Sequence, residues 1–240
     1  MIREARPVDL DAIEKIYDNI HAAEESGRVK IGWISGVYPV RATAEEAIRR
    51  RDMFVFEEDG IIKAAAIINK TQVDVYKGAN WSFEAGDDEV CVLHTLVVDP
   101  NCSGRGVGSR FVEFYEKYAL SRQCTVLRID TNAINSAARR LYAKLGYRDA
   151  DIVPCVFNGI PNVNLVLLEK KLKKRGLHPL FITGHTGWTD NMEFAFAHKN
   201  ELCSPFKKRA HDPNALYDAY DESDDTEENS KSGYLKGVGR

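Results

Sequence analysis

The chain has 240 residues, of which 44% are apolar and 29% are charged, and this composition is typical of a globular protein with a buried core. Its net charge of −3 argues against a general nucleic-acid-binding protein, because such proteins are usually basic. The sequence contains no run of about 18 apolar residues, so it predicts no membrane-spanning helix. The first residues also lack the apolar core of a signal peptide. We therefore expect a cytoplasmic protein with neither a membrane nor a nucleic acid as partner.

The five cysteines are widely spaced, and no two of them form a C-x-x-C pair. This spacing indicates neither a disulfide framework nor a zinc site. Cytosolic redox buffers keep isolated thiols reduced. We therefore expect free cysteines and no metal.

The first elements along the chain are a short extended segment at residues 2–6 and a helix that Pro7 and Asp9 open. The apolar side chains that mark one face of this helix are Val8, Ile13, Ile16, Tyr17 and Ile20. Residues 24–41 follow, with several glycines beside Trp33 and Tyr38. Large aromatic side chains in a glycine-rich loop either line a ligand site or close the edge of the core, and the sequence does not decide between the two.

A capping-box pattern at Thr43 predicts a second helix that runs to about Arg51. The next segments predict a β-hairpin with its turn at residues 58–60, then a strand piece and polar loop within residues 70–89. Further along, the predicted elements are a strand at 90–98, a helix to about 122, a strand at 125–129, a helix from Asn135 that ends before Gly146, and strands near 151–157 and 163–169.

The predicted order is β-α-α-β-β-β-α-β-α-β-β, which indicates an α/β domain built on a mixed sheet and ending near Leu172. Residues 173–209 show no clear periodicity and form an extension of unclear structure. Residues 210–240 contain eight acidic and three basic residues, a composition that predicts a disordered acidic tail.

The strand at 90–98 leads into a glycine-rich loop, SGRGVGS, at the start of a helix. Backbone N–H groups at such a helix start can bind phosphate. A P-loop is excluded because the loop has no lysine. A dinucleotide-binding loop fits less well because Ser109 replaces its third glycine, although Asp130 follows at the distance of a ribose-binding acid.

A third alternative is coenzyme A. Residues 103–108 resemble motif A of the GNAT superfamily of acyl-CoA N-acyltransferases, [RQ]-x-x-G-x-[GA], with Ser103 in place of the arginine or glutamine. Residues 135–147, NSAARRLYAKLGY, resemble its motif B, N-x-x-[AS]-x-x-x-Y-x-x-x-G-[FY]. Both motifs occur in the family's order, and the resemblance covers roughly residues 1–172.

The resemblance implies the GNAT fold, a mostly antiparallel mixed sheet flanked by helices and splayed between its fourth and fifth strands. It also implies that main-chain groups of the fourth strand pair with the pantetheine arm, while the loop binds the pyrophosphate. The implied cofactor-binding residues are Leu96, Val97, Val98, Ser103, Gly104, Arg105, Gly106, Val107, Gly108, Ser109, Asn135, Ala138 and Tyr142.

Two residues are candidates for catalysis. Tyr142 has the position of the family's general acid, which protonates the departing thiolate, although a tyrosine there can also simply pack on the core. His94 shares a strand face with Val92 and matches a strand histidine of arylalkylamine N-acetyltransferases. An imidazole titrates near neutral pH, so His94 is either the general base or a hydrogen-bonded structural histidine.

The resemblance implies an acetyl-CoA-dependent N-acetyltransferase that acts on a primary amine, with a small molecule preferred as acceptor and with Trp33 and Tyr38 lining the acceptor site. A protein N-terminus or lysine is the alternative acceptor. A second alternative is a sensor module that binds acyl-CoA without catalysis. Homodimers are common in the family, so a homodimer is a further expectation.

Overall fold

The computed structural model describes residues 1–173, and the predicted acidic tail and all but the first residue of the predicted extension lie outside them. The strands and helices follow the predicted order. They are β1 (Ile2–Glu4), α1 (Leu10–Glu25), α2 (Arg41–Arg50), β2 (Met53–Glu58), β3 (Ile61–Asn69), β4 (Val90–Val98), α3 (Val107–Ser121), β5 (Val126–Asn132), α4 (Ser136–Lys144), β6 (Arg148–Phe157) and β7 (Ile160–Lys171).

All seven strands form one sheet in the order β1-β2-β3-β4-β5-β7-β6. The β4–β5 pair is parallel and the other pairs are antiparallel, which confirms the predicted mixed, mostly antiparallel sheet. The hairpins β2–β3 and β6–β7 both turn through two residues of positive φ, Asp59-Gly60 and Asn158-Gly159. Such turns match the twist of the strands that they connect.

Apolar side chains pack on both faces of the sheet. On one face α3 and α4 cover β3, β4, β5 and β7, with Phe111 and Tyr115 fully buried at the centre. On the other face α1 and α2 cover β2 and β3 through Ile13, Ile16 and Tyr17. Residues 73–85 pack against β4, β5 and β7 and form a third apolar cluster with them. The sheet is therefore buried on both sides over most of its area.

Several details of the sequence prediction are wrong. Val8 is 80% exposed, because it lies in a short 3-10 turn before α1 rather than on the apolar face of the helix. Helix α2 starts at Arg41, so Thr43 is its third residue, and the Thr43 hydroxyl accepts a hydrogen bond from the Val40 N–H. Residues 70–89 contain two 3-10 turns and no strand.

The structure also extends two predicted strands. Strand β5 continues to Asn132 because it pairs with β7 over seven positions, and β7 starts at Ile160 because it pairs there with Phe157 of β6. None of the helices within residues 1–173 combines the length and the hydropathy that crossing a bilayer requires.

Candidate active site

Strand β4 contains a bulge that changes the direction of its side chains. Its pairing with β3 changes register between Ala65 and Ile67, which places one extra residue in β4 between His94 and Val97. Thr95 in this bulge has a φ of 51°. Cys91 and Leu93 point to the α3–α4 face before the bulge, and Leu96 and Val98 point to that face after it. His94 therefore lies on the opposite face, with Val92, as predicted from the alternation.

The sheet opens between β4 and β5. Only four positions of β4, Val90 to Leu93, pair with β5, and the last pair is Leu93 with Ile129. Beyond it the two strands diverge, which confirms the predicted splay. An unpaired strand edge can form hydrogen bonds with an extended ligand. The predicted cofactor residues Leu96, Val97 and Val98 all belong to the part of β4 that has no β5 partner.

The glycine-rich loop lies at the end of this opening, directly before α3. Gly104 and Gly106 have φ values of 77° and 74°, in the left-handed region that favours glycine. Residues 103–106 are exposed, and Gly106 is the N-cap of α3. The N–H groups in the first turn of a helix have no carbonyl partner within the helix. The loop therefore offers exposed N–H groups and the positive end of the α3 dipole to an anion, as a phosphate site requires.

Helix α4 packs close to this loop. A Cβ atom on Gly108 would lie 3.2 Å from Cδ2 of Leu141, so this glycine permits the close approach of α3 to α4. The Asn135 Oδ1 accepts a hydrogen bond from the Ala138 N–H at 3.1 Å and so caps α4. The cap accounts for the local position of Asn135, and its contact with a cofactor stays a prediction.

Tyr142 projects from α4 into the apolar cluster on that face and is only 5% exposed. Its ring makes an edge contact with Tyr147, with centroids 5.9 Å apart. Burial, reinforced by the negative charge of Asp130, raises the pKa of Tyr142 above its usual value near 10. The phenol therefore keeps its proton at neutral pH, which suits a proton donor.

The two ring nitrogens of His94 have different surroundings. The Nε2 atom lies 3.2 Å from Oδ1 of Asn69 and 3.1 Å from the carbonyl oxygen of Thr71. Nδ2 of Asn69 donates to Asp52 while its Oδ1 accepts from the Thr71 N–H, which fixes the amide orientation. Both neighbours of Nε2 are thus acceptors, so Nε2 carries the hydrogen and Nδ1 is the basic nitrogen.

Burial also lowers the pKa of His94 to about 4. The imidazole is therefore neutral at pH 7, but it holds an added proton only weakly. Of the two roles that the sequence leaves open for His94, these properties favour the hydrogen-bonding one, and the role of general base stays a prediction.

The two aromatic residues predicted to line an acceptor site contact each other, with centroids of Trp33 and Tyr38 6.0 Å apart in an edge arrangement. The Tyr38 hydroxyl is hydrogen-bonded to Oγ1 of Thr95, in the β4 bulge. Burial raises the pKa of Tyr38 to about 12. At Gly32, a Cβ atom would collide with the side-chain amide of Asn132, so the glycine lets this loop approach the end of β5.

Asp130 is a further candidate residue, which the sequence indicates only for a dinucleotide-binding loop. Asp130 is half-buried on β5, and it accepts a hydrogen bond from the Tyr76 hydroxyl at 2.7 Å. Desolvation raises its pKa to about 6, while the Tyr76 bond lowers it. One sequence signal exists, because an acid in the middle of an apolar strand needs a specific partner. Tyr76 lies in an aperiodic segment that gives no such signal.

The structure therefore places the Tyr38 hydroxyl at the β4 bulge and Asp130 where β4 and β5 separate, and the glycine loop directly precedes the start of α3. Within the described residues, no group of three or more histidine, cysteine or acidic side chains is arranged to hold a metal ion.

Comparison with known proteins gives consistent results. The model of the acetyltransferase (GNAT) family matches residues 16–147. A streptothricin acetyltransferase from Escherichia coli is 32% identical over 91 residues, which are 38% of this chain and 49% of that protein. The chain thus spans about half the length of this curated relative.

Solved structures share the fold. A GNAT-family acetyltransferase from Listeria monocytogenes superimposes with a TM-score of 0.56 at 22% identity, covering 72% of this chain and 94% of that one. The protein yncA from Salmonella typhimurium, solved with its cofactor acetyl-CoA, has a TM-score of 0.53 at 19% identity, with 73% and 95% covered. At these identities the likeness shows the fold alone.

Proposed function

Because the chain belongs to the acetyltransferase (GNAT) family, we propose that it is an acetyl-CoA-dependent N-acetyltransferase whose acceptor is a primary amine, in the first place one on a small molecule. The observation that carries the proposal is the unpaired end of β4 next to the glycine loop. Together they provide a strand edge for the pantetheine arm and N–H groups for the pyrophosphate.

In this proposal the pantetheine arm extends β4 along residues 96–98, and a main-chain N–H there, that of Leu96, donates to the thioester carbonyl oxygen. Such a donor stabilises the negative charge that develops when the amine attacks. The N–H groups of residues 105–109 bind the pyrophosphate. Arg105 supplies positive charge, because Ser103 replaces the arginine or glutamine of motif A. Asn135 and Ala138 border the pantetheine from α4.

Tyr142 is the proposed general acid. When the C–S bond breaks, the thiolate of coenzyme A takes the proton of the phenol. The opening between β4 and β5 supports this role. Through it, the Tyr142 side chain on the α3–α4 face of the sheet can approach a ligand that is bound near Asp130 on the other face. His94 contributes through its neutral imidazole, which either accepts a proton at Nδ1 or fixes the segment that contains Asn69 and Thr71.

Acetyl-CoA consumption with a panel of amines tests the function. The panel contains streptothricin, because one relative is named for it, simple alkylamines, and peptides with free N-termini or lysines. Turnover with a small amine supports the proposal. Turnover with peptides alone shows instead that the acceptor is a protein N-terminus or lysine. Binding of acetyl-CoA without turnover of any member indicates the sensor alternative.

A further inference from the structure

Asp130 occupies a distinct position in the sheet. Its neighbour Ile129 forms the last pair with β4, so Asp130 is the first residue of β5 beyond the point where the two strands diverge. On its other side β5 still pairs with β7, where Asp130 is opposite Leu167. The backbone of Asp130 is therefore held firmly, while the residue itself is only half-buried and borders the opening.

The hydrogen-bond partner of this carboxylate is a phenol. Tyr76 donates its hydroxyl at 2.7 Å. Burial raises the pKa values of Tyr38 from the loop before α2, Tyr142 from α4 and Cys155 from β6, and the charge of the Asp130 carboxylate adds to each shift. None of these groups carries a positive charge.

Within residues 1–173, no basic side chain forms an ion pair with Asp130. Arg128, two residues earlier on the same face of β5, donates to Gln72 and lies over the ring of Trp81 at 4.1 Å from its centroid. A half-buried carboxylate without a counter-ion costs free energy, and a cationic ligand would remove that cost.

We propose that Asp130 binds the ammonium group of the acceptor and accepts its proton, so that the acceptor is a basic alkylamine rather than a weakly basic aromatic amine. This inference rests on the proposed function and assigns its substrate class and its proton acceptor. With a pKa of about 6, the carboxylate is ionised at neutral pH and can bind a cation, yet it is a stronger base than an ordinary aspartate.

The protons balance over one cycle. An N–H bond of the ammonium breaks and an O–H bond forms on Asp130, which leaves a neutral amine. The amine nitrogen bonds to the thioester carbon, the C–S bond breaks, and the thiolate takes the Tyr142 proton. The second amine proton passes to the Tyr142 phenolate, and Asp130 releases its proton to water when the amide leaves.

Equilibrium binding to the full chain saturated with coenzyme A tests the contact, because this complex has no acetyl group to transfer. The probes are benzylammonium and its neutral analogue benzyl alcohol, measured by calorimetry. We expect Asp130→Asn to raise the Kd of benzylammonium at least about tenfold and to leave that of benzyl alcohol and of coenzyme A unchanged. Asp18→Asn, the same change on the exposed side of α1, is the matched control.

The pH dependence gives a second readout. Benzylammonium affinity should fall about tenfold from about pH 8 to about pH 5, since Asp130 becomes protonated near pH 6. In Tyr76→Phe the bond that lowers this pKa is lost, so the midpoint should move to higher pH. The inference is overturned if the wild type does not bind benzylammonium, if Asp130→Asn binds it equally well, or if the Tyr76→Phe midpoint does not move.

Turnover is measured separately with the amine panel. In an active protein, Asp130→Asn should lower kcat/KM for the amine at least about 100-fold without changing the Kd of acetyl-CoA. If benzylammonium binds through Asp130 and yet no amine is acetylated, the proposed function fails while the ammonium contact stands. If amines are acetylated equally by wild type and Asp130→Asn, the inference fails while the function stands.

Discussion

Two features hold Tyr142 as a neutral phenol, its burial beneath α4 and the negative charge of Asp130. Tyr142→Phe removes only the hydroxyl, so packing in the apolar cluster is kept. We expect kcat to fall about 100-fold, as is typical when a general acid is lost, and the Kd of acetyl-CoA to stay unchanged. Steady-state rates and equilibrium binding of acetyl-CoA measure both quantities.

Tyr147→Phe is the control for this change. Tyr147 contacts Tyr142, is equally buried, and has a hydroxyl with no hydrogen-bond partner among the described residues. Its loss should leave turnover unchanged. A similar fall in both variants would show that Tyr142 acts through packing and not as a proton donor.

His94 gives a contrasting prediction. Because burial lowers its pKa to about 4, the imidazole is neutral throughout the range from about pH 5 to about pH 9. His94→Ala should therefore lower activity without changing the shape of the pH–rate profile, and His94→Gln, which keeps a donor toward Asn69 and Thr71, should recover most of it. If His94→Ala abolishes the acid limb of the profile, His94 is the general base, which is one of the two roles that the sequence leaves open.

At the scale of elements, the loop before α3 depends on two glycines in the left-handed conformation. Gly106→Ala places a Cβ atom at a φ of 74°, which costs about 1 kcal/mol of folding free energy. The same Cβ obstructs the approach of a phosphate to the backbone. We expect the Kd of acetyl-CoA to rise at least about tenfold, measured by calorimetry together with denaturant unfolding.

Gly86→Ala is the matched control, because Gly86 is exposed, has a φ of −69° and has free space around its Cβ position. It should change neither stability nor affinity. Equal effects of the two substitutions on affinity would place the phosphate site elsewhere.

The elements that the sequence predicted well are those with local signals. The hairpin turns and the end of α4 at Gly146 follow from the conformational preferences of single residues, and the helix faces follow from hydrophobic periodicity. The bulge at Thr95 has no such signal, since it is an offset between β4 and β3. For the same reason, alternation along β4 could not show that His94 and Leu96 point to opposite faces.

The candidate site divides in the same way. Its proposed cofactor half consists of a glycine loop and a helix start, which are contiguous in the sequence, so their conformation could be predicted from it. Its proposed acceptor half involves Tyr38, Tyr76 and Asp130, which are far apart along the chain, and Tyr76 reaches Asp130 because residues 73–85 pack across β4 and β5. Such a meeting is a property of the tertiary structure, so a single sequence does not reveal it.

At the scale of the whole molecule, the sequence predicts a domain that ends near Leu172. The hydrogen bonds of the sheet reach this point, because β7 pairs with β5 up to Lys171 and the Leu172 N–H donates to the carbonyl of Thr125 at 2.7 Å. Lys170 also bonds to Glu116 and to the carbonyl of Leu145 at 2.7 Å each. These contacts join the end of β7 to β5, α3 and α4.

A chain that ends at Lys173 should therefore melt within about 3 °C of the full chain and bind acetyl-CoA with the same Kd. A chain that ends at Leu167 lacks Leu168 and Glu169, both fully buried, and four paired positions with β5. Their loss should cost more than about 4 kcal/mol, which lowers the melting temperature by at least about 10 °C or prevents folding. Thermal unfolding followed by circular dichroism compares the three chains. If the chain that ends at Lys173 is as unstable as the shorter one, residues beyond 173 belong to the folding unit and the predicted boundary is wrong.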